Sequence, residues 1–219
     1  MPCRFERVFA AAPFVPCGTV RTVTDPTIAP RLPAPPVPLR TARLELRHVT
    51  TDDLDALRYY TDPEVCRYLP FPAADEAALV KRVAMMAERL APSEPDEVLS
   101  LAVVHDGTLV GDVILRLGKR ADPSTAPSVA EIGWAFAPSA AGKGFATEAA
   151  TALVTLAFDH YPVHRLVAHL DPRNTRSAAL CERLGMTKEA HLRRDWPEAD
   201  GTWTDDAIYG LLREEWPPG

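Results

Sequence analysis

The segment PSAAGKGFATEAA, residues 138–150, places two glycines and a lysine directly before an apolar pattern with helical spacing. Glycine adopts positive φ angles easily and lets a ligand approach the backbone closely. The first N–H groups of a helix lack partners and lie at the positive end of its dipole, so such a position can bind a phosphate. A tight turn that happens to contain Gly142 and Gly144 would account for the same residues, and both interpretations stay open.

The segment does not match two common phosphate-binding loops. A Walker A loop needs Ser or Thr after its lysine, whereas Gly144 follows Lys143. A dinucleotide-binding loop needs glycine or alanine at its last position, which is occupied by Thr147. The sequence therefore disfavours a nicotinamide-dependent oxidoreductase.

Hydrophobic periodicity predicts that the segment joins a strand to a helix in a mixed α/β domain. The strand–helix–strand unit over 128–171 predicts a parallel pair joined by a crossover, with the glycines at the carboxyl end of its first strand. In the helix predicted over 75–91, one face carries Leu79, Val83, Met86 and Leu90. Further strands are predicted over 43–49, two runs of 97–117 around Asp106-Gly107, 186–196 and 204–214, and further helices over 50–62 and 175–185, the latter ending at Gly185.

Composition limits the classes of protein that the chain can belong to. Nine of the 22 prolines fall in the first 40 residues, so we predict a proline-rich arm over 1–40 and one folded domain over 41–216. A net charge of −6 without a Lys/Arg cluster argues against nucleic-acid binding. No apolar run is long enough for a membrane span. Four cysteines without CxxC spacing predict neither zinc nor a disulfide framework, and favour a cytoplasmic location.

Several motifs together resemble one superfamily. EIGWAFAPSAAGKGFATEAATALVTLAFD resembles the central acyl-CoA motif of the GNAT N-acyltransferases. RLVAHLDPRNTRSAALCERLGMTKEAHLRRDW, GTWTDDAIYGLL and LRTARLELRHVTTDDLDAL resemble the RimJ/RimL-type branch. This resemblance covers about residues 40–216. It implies a mostly antiparallel sheet splayed between its fourth and fifth strands and flanked by helices. It also implies an N-acetyltransferase that uses acetyl-CoA as cosubstrate and no metal.

The resemblance also implies which residues contact coenzyme A. The glycine turn would bind the pyrophosphate, and the pantetheine arm would lie against strand 131–137 where it splays from 165–171. A backbone N–H near Phe136 or Ala137 would hold the oxyanion, and Asn174, which could instead cap a helix, would face the pantetheine. The implied contacts are Phe136, Ala137, Ala141, Gly142, Lys143, Gly144, Phe145, Ala146, Thr147, Asn174 and Ser177.

Two departures from the family pattern stand out. Ala141 replaces an Arg or Gln that contacts the pyrophosphate in many members, and Lys143 could partly replace that contact. Cys181 stands where many relatives have a tyrosine that protonates the departing thiolate. Thiolate departure could then be assisted by Ser177, Cys181 or water. A covalent acyl-cysteine is disfavoured, because the sequence places no histidine beside Cys181.

Direct transfer to an amine also needs a base, because presenting an amine of pKa near 10.4 in its neutral form at pH 7 costs roughly 4 to 5 kcal/mol. Glu131 is the first candidate, since part of the superfamily uses a glutamate in this strand, and a salt-bridged structural glutamate is the alternative. Glu189 and His191, on what we expect to be the next strand toward the splay, are further candidates.

The acceptor, a protein N-terminal residue or a small amine, is expected to bind between two variable segments. Residues 59–72 contribute aromatic side chains, and the loop RRDWPEADGTWTDD contributes acids that would attract an ammonium group. A non-catalytic acyl-CoA sensor with the same fold is the alternative function. Homodimers are common among relatives, but no interface can be derived from the sequence. The residues concerned are Tyr59, Tyr60, Tyr68, Phe71, Asp195, Glu198, Asp200 and Asp205, with Trp134 and Trp203 either lining the pocket or packing.

Overall fold

The computed structural model describes residues 32–92, 97–118, 128–198 and 201–217. These residues form a mixed sheet of eight strands in the order β1-β2-β3-β4-β5-β6-β8-β7. The strands are β1 Leu39–Arg40, β2 Glu45–His48, β3 Val98–His105, β4 Thr108–Leu117, β5 Val129–Phe136, β6 Arg165–Leu170, β7 Thr187–Pro197 and β8 Trp203–Leu212. The α-helices are α1 Pro63–Cys66, α2 Glu76–Glu88, α3 Phe145–His160 and α4 Thr175–Arg183, and 3-10 helices cover Thr51–Asp53, Ala56–Thr61, Pro138–Ala140 and Arg213–Glu215.

The predicted fold class is confirmed, and each predicted strand is present. The helix expected over 50–62 is instead two 3-10 helices, and Pro63 explains where they end. Proline disfavours helical angles at the preceding residue, and Asp62 is extended, with φ −83° and ψ 116°. On α2, the predicted face is wrong for Leu90, which is 49% exposed because the helix ends at Glu88.

The splay expected from the family resemblance lies between β5 and β6. These strands are parallel, but they pair only from Val129–Arg165 to Glu131–Val167. Beyond Glu131, β5 continues along β4 and β6 continues along β8, so the two strands separate and leave a gap. The strand numbers differ from the expected four and five because the two-residue β1 precedes the first strand predicted from the sequence.

The sheet separates two clusters of buried side chains. One face, with Val113 and Ile132, packs against α3 and α4. The opposite face, with Ala102 and Ala135, packs against α2 and the short helices before it. Active-site elements can therefore approach the gap from both faces.

The chain joins this sheet before Thr41. Leu32 is buried in the cluster beneath α3, and β1 pairs with β2. The domain boundary at residue 41 stays a prediction, and residues 1–31 of the predicted arm lie outside the described residues. None of the helices in the described ranges is long and apolar enough to cross a membrane.

Candidate active site

The glycine turn orients a run of backbone N–H groups in one direction. Gly142 and Gly144 have φ angles of +74° and +77°, and α3 begins directly after Gly144. Within the described part of the chain, no intramolecular acceptor is found for the N–H groups of Gly142, Gly144, Phe145, Ala146 and Thr147. Such a run at a helix N-terminus is a binding site for an anion.

Two other residues of the predicted pyrophosphate site use their N–H groups within the turn. Ala141 donates to the carbonyl of Pro138 at 3.1 Å, and Lys143 donates to the carbonyl of Ala140 at 3.4 Å. Both side chains are exposed. These two amide groups are therefore not available to a phosphate. Lys143 could contact one through its ammonium group, whereas the methyl side chain of Ala141 has no donor.

An arginine that sequence reasoning missed borders the turn. Arg43 donates from Nη1 to the carbonyl of Lys143 at 3.0 Å, and its Nε donates to Glu148 at 2.8 Å. Glu148, in the first turn of α3, also accepts a hydrogen bond from the hydroxyl of Thr41 at 2.6 Å. This network holds Thr41 and Arg43 against the glycine turn and the first turn of α3, and it places a cation beside them.

The gap between β5 and β6 exposes the backbone of β5. Ala137 donates its N–H to the carbonyl of Val110 at 3.0 Å, towards β4. Because hydrogen-bond directions alternate along an antiparallel strand, Trp134 and Phe136 direct their N–H and carbonyl groups into the gap. No described strand pairs with them there. Of the two expected pantetheine contacts, Phe136 therefore offers an N–H group and Ala137 does not.

The N-terminus of α4 closes the other side of the gap. Asn174 caps this helix, because its Oδ1 accepts the N–H of Ser177 at 3.1 Å. The hydroxyl of Ser177 accepts a hydrogen bond from Nε1 of Trp134 at 3.2 Å, which links α4 to β5. No acceptor for the hydroxyl hydrogen of Ser177 is found among the described residues, so this hydrogen can donate to a ligand. The structure thus brings together Trp134, Asn174 and Ser177.

A cleft of about 600 Å³ extends from this gap across the α2 face of the sheet. Much of the expected acceptor site lines it, including the aromatic residues Tyr60, Tyr68 and Phe71 and the acids Glu198 and Asp205.

Other parts of the acceptor prediction are placed differently. Tyr59 is buried behind the cleft and Trp203 is 57% exposed outside it, whereas Trp196 lines it. Asp195 does not line the cleft, and Asp200 lies outside the described residues.

Glu131 lies on the cleft face of β5, where the parallel pairing ends. Its Oε2 is 3.1 Å from Nη1 of Arg116 on β4, and its side chain is 31% exposed. The salt-bridged arrangement weighed from the sequence is therefore present, and the carboxylate also remains accessible from the cleft.

A histidine–aspartate pair that sequence reasoning missed faces the same opening. Nδ1 of His169 on β6 lies 2.8 Å from Oδ2 of Asp206 on β8. This hydrogen bond raises the pKa of His169, although burial acts in the opposite direction, and Glu131 contributes to the rise. A histidine held in this way is a candidate base.

Asp112 is a second buried charge that the sequence analysis did not single out. It lies on β4 at the base of the cleft, and its Oδ1 accepts hydrogen bonds from the hydroxyls of Tyr59 and Tyr60, the latter at 2.7 Å. Burial raises the pKa of Asp112 to about 6, although both tyrosines and Arg82 act in the opposite direction. The signal in the sequence was an aspartate in the middle of the mostly apolar strand TLVGDVILRL.

Comparisons with known proteins agree with this geometry. Residues 43–187 match the family described as acetyltransferase (GNAT) domain. The chain belongs to this family. It is 28% identical to the uncharacterized N-acetyltransferase YnaD of Bacillus subtilis over 186 residues, which cover 81% of this chain and 98% of YnaD.

Two further similarities support the RimJ/RimL-type branch. Over 88 residues the chain is 34% identical to the [ribosomal protein uS5]-alanine N-acetyltransferase of Escherichia coli, covering 40% of this chain and 45% of that enzyme. The solved structure of Mycobacterium smegmatis RimJ in complex with CoA-disulfide is 25% identical, with a TM-score of 0.68, and the match covers 80% of this chain and 85% of that one. The prediction of a GNAT N-acetyltransferase of this type is confirmed.

In this GNAT protein, Glu189 and His191 do not reach the cleft. Strand β8 lies between β6 and β7, so β7 is the edge strand and not a neighbour of the splay. Glu189 binds Arg165 at 2.7 Å, and Nε2 of His191 lies 2.7 Å from Asp205. Their expected position beside the splay was wrong, because β8 and not β7 is the neighbour of β6.

Cys181 is a core residue of the fold. It is fully buried, and burial raises the pKa of its thiol to about 12, so the thiolate needed for a nucleophile is suppressed. A cluster of His, Cys, Asp or Glu that could hold a metal ion is absent from the described ranges.

Proposed function

We propose that this N-acetyltransferase moves the acetyl group of acetyl-CoA directly to a primary amine bound in the 600 Å³ cleft. The observation that carries the proposal is the order of three features along one segment of chain. Residues 131–135 line the cleft, the edge of β5 beyond Glu131 is unpaired on the side of β6, and the glycine turn with its unpaired N–H groups follows. The similarity to the RimJ structure in complex with CoA-disulfide supports acetyl-CoA as the cosubstrate. The uS5-alanine enzyme supports a protein N-terminus as acceptor, with a small amine as the alternative. A cytoplasmic location and a homodimer stay predictions.

The coenzyme A half of the site would be formed mostly by backbone. The N–H groups of Gly142 and Gly144, with those of the first turn of α3, would bind the pyrophosphate oxygens. The open edge at Trp134 and Phe136 would pair with the pantetheine amides. The N–H of Phe136 is the proposed oxyanion donor, since Ala137 already donates to Val110. The hydroxyl of Ser177 would donate to the departing thiolate.

The proton of the acceptor amine would be taken by a side chain near Glu131, where the pairing of β5 with β6 ends. Glu131 is the base proposed first, because its carboxylate is accessible from the cleft. His169 is the second candidate, because its hydrogen bond to Asp206 raises its pKa and so makes its imidazole a stronger base. Both residues lie on the cleft face, within electrostatic reach of each other.

Release of the CoA thiol tests the proposal. Wild type would be supplied with acetyl-CoA and a panel of small amines and peptides that begin with alanine or serine. Gly144→Trp should lose both release and acetyl-CoA binding, because an indole would fill the anion site. Gly185→Trp is the matched control, since Gly185 has a similar φ of +79° with open space around it, at the end of α4.

Each outcome separates the alternatives. Release by wild type and by Gly185→Trp, but not by Gly144→Trp, supports the enzyme and the phosphate site together. Tight acetyl-CoA binding without release across a broad panel would favour the acyl-CoA sensor. Absence of binding would show that the glycine turn holds no phosphate.

A further inference from the structure

Three arginines line one end of the acceptor cleft. Arg82 lies on α2, Arg89 caps the end of the same helix, and Arg116 lies on β4. Arg116 is paired with Glu131. Among the described residues, no carboxylate forms an ion pair with Arg82 or Arg89. A cleft with two guanidinium groups lacking an ion-pair partner is suited to a ligand that brings negative charge.

Arg82 is positioned by aromatic rings and retains an unused donor. Its Cζ lies 3.4 Å from the centre of the Phe71 ring and 5.1 Å from that of Tyr60. Its Nε is buried and has no hydrogen-bond partner within the described ranges of the chain. Ring contacts stabilise a cation but do not accept its N–H groups in the way that an oxygen does. The side chain is thus held at the cleft with hydrogen-bonding capacity left over.

Arg89 is held beside two other positive charges. Its Nη2 donates to the thioether of Met85 at 3.2 Å, and sulfur is a weak acceptor. Burial lowers the pKa of Arg89, and the charges of Arg116 and Arg82 act in the same direction. This mutual repulsion would be relieved by an anion between the guanidinium groups.

The acids nearby do not balance these charges fully. Glu131 is paired with Arg116, and buried Asp112 is hydrogen-bonded to the tyrosines and forms no ion pair with Arg82. At the other end of the cleft, Asp206 is held by His169 and Asp205 by His191. The arginine end therefore keeps a net positive charge while the opposite end is acidic.

We infer that Arg82, Arg89 and Arg116 form an anion subsite, and that the acceptor is an amine carrying a carboxylate or phosphate group. The inference deepens the proposed function and rests on it, because it assigns the substrate class of the same cleft. The polarity of the cleft matches such a molecule, with the anionic group at the arginine end and the amine at the end where His169 and Asp206 lie.

Matched pairs of amines that differ in the anionic group test the subsite. Ethanolamine against O-phosphoethanolamine tests phosphate, phenethylamine against phenylalanine tests carboxylate, and Ala-Gln against Ala-Glu peptides tests a side-chain carboxylate. We expect kcat/KM to be higher for the anionic member of at least one pair by about tenfold or more, which corresponds to a hydrogen bond between charged groups. Arg89→Met should remove most of that preference. Arg40→Met should keep it, because Arg40 is paired with Glu45 outside the cleft.

The results separate this inference from the proposed function. Equal kcat/KM within all three pairs would overturn the subsite and leave the acetyltransferase proposal standing. If no amine is acetylated, the subsite is tested by calorimetry, which measures the binding of O-phosphoethanolamine and phenylalanine in the presence of CoA. Binding that Arg89→Met weakens about tenfold supports the subsite, and absence of binding, or binding that the variant leaves unchanged, overturns it.

Discussion

Replacing Asp112 by asparagine should change the stability of the protein in a pH-dependent way. The pKa of the buried carboxyl is raised from its ordinary value of 3.8 to about 6. The folded state therefore binds this proton more tightly than the unfolded state. The resulting stabilisation is complete below about pH 4 and is lost as the pH rises through 6. A difference of about 2 pKa units corresponds to about 3 kcal/mol.

Asp112→Asn removes this titration, while its amide oxygen can still accept the hydroxyls of Tyr59 and Tyr60. The free energy of unfolding would be measured in urea at pH 4, 5, 6, 7 and 8. From pH 4 to pH 8, the free energy of unfolding of the variant should rise by about 3 kcal/mol relative to that of wild type. Asp52→Asn, which removes an exposed carboxyl away from the cleft, is the control. A raised pKa of Asp112 would be refuted if the difference in unfolding free energy between variant and wild type were constant with pH, or if the variant became less stable relative to wild type towards pH 8.

Two further predictions concern the chemistry. Asp206→Asn removes the hydrogen bond that raises the pKa of His169, so the acidic limb of the kcat/KM profile should move to lower pH if His169 takes the proton. If the acidic limb of the kcat/KM profile does not move in Asp206→Asn and disappears in Glu131→Gln, the base is Glu131 and not His169. Cys181→Ala should keep kcat close to the wild-type value, because the buried thiol does not ionise near neutral pH; an acetylated Cys181 found by mass spectrometry during turnover would contradict this.

The backbone of the glycine turn, where we propose that coenzyme A binds, could be predicted from the sequence because its determinants are local. The positive φ angles of Gly142 and Gly144, and the start of α3 at Phe145, follow from residues within one short segment. The end of α4 was predictable for the same reason. Gly185, at φ +79°, lets the N–H of Met186 reach the carbonyl of Cys181 at 3.0 Å.

The acceptor half could not be predicted to the same extent, because its contacts depend on strand order. His169 and Asp206 are 37 positions apart, and only the antiparallel pairing of β6 with β8 brings them together. The misplacement of Glu189 has the same origin. Alternating apolar patterns predict β7 and β8 as strands, but they carry no information on which of the two lies beside β6.

The proposed cosubstrate half and the proposed acceptor half of the site also differ in the chemical groups that form them. This difference explains why the site tolerates Ala141 in place of the Arg or Gln of many family members. On the proposed cosubstrate side the available donors are backbone N–H groups, fixed by φ angles and by the start of α3, so the loss of one side chain leaves Gly142, Gly144 and the first helical turn in place. On the acceptor side the charges are side chains from α2, β4, β5, β6 and β8, and one substitution there changes what the cleft can bind. A substitution at Arg89 or Arg116 would therefore change the proposed acceptor site and leave the backbone donors of the glycine turn in place.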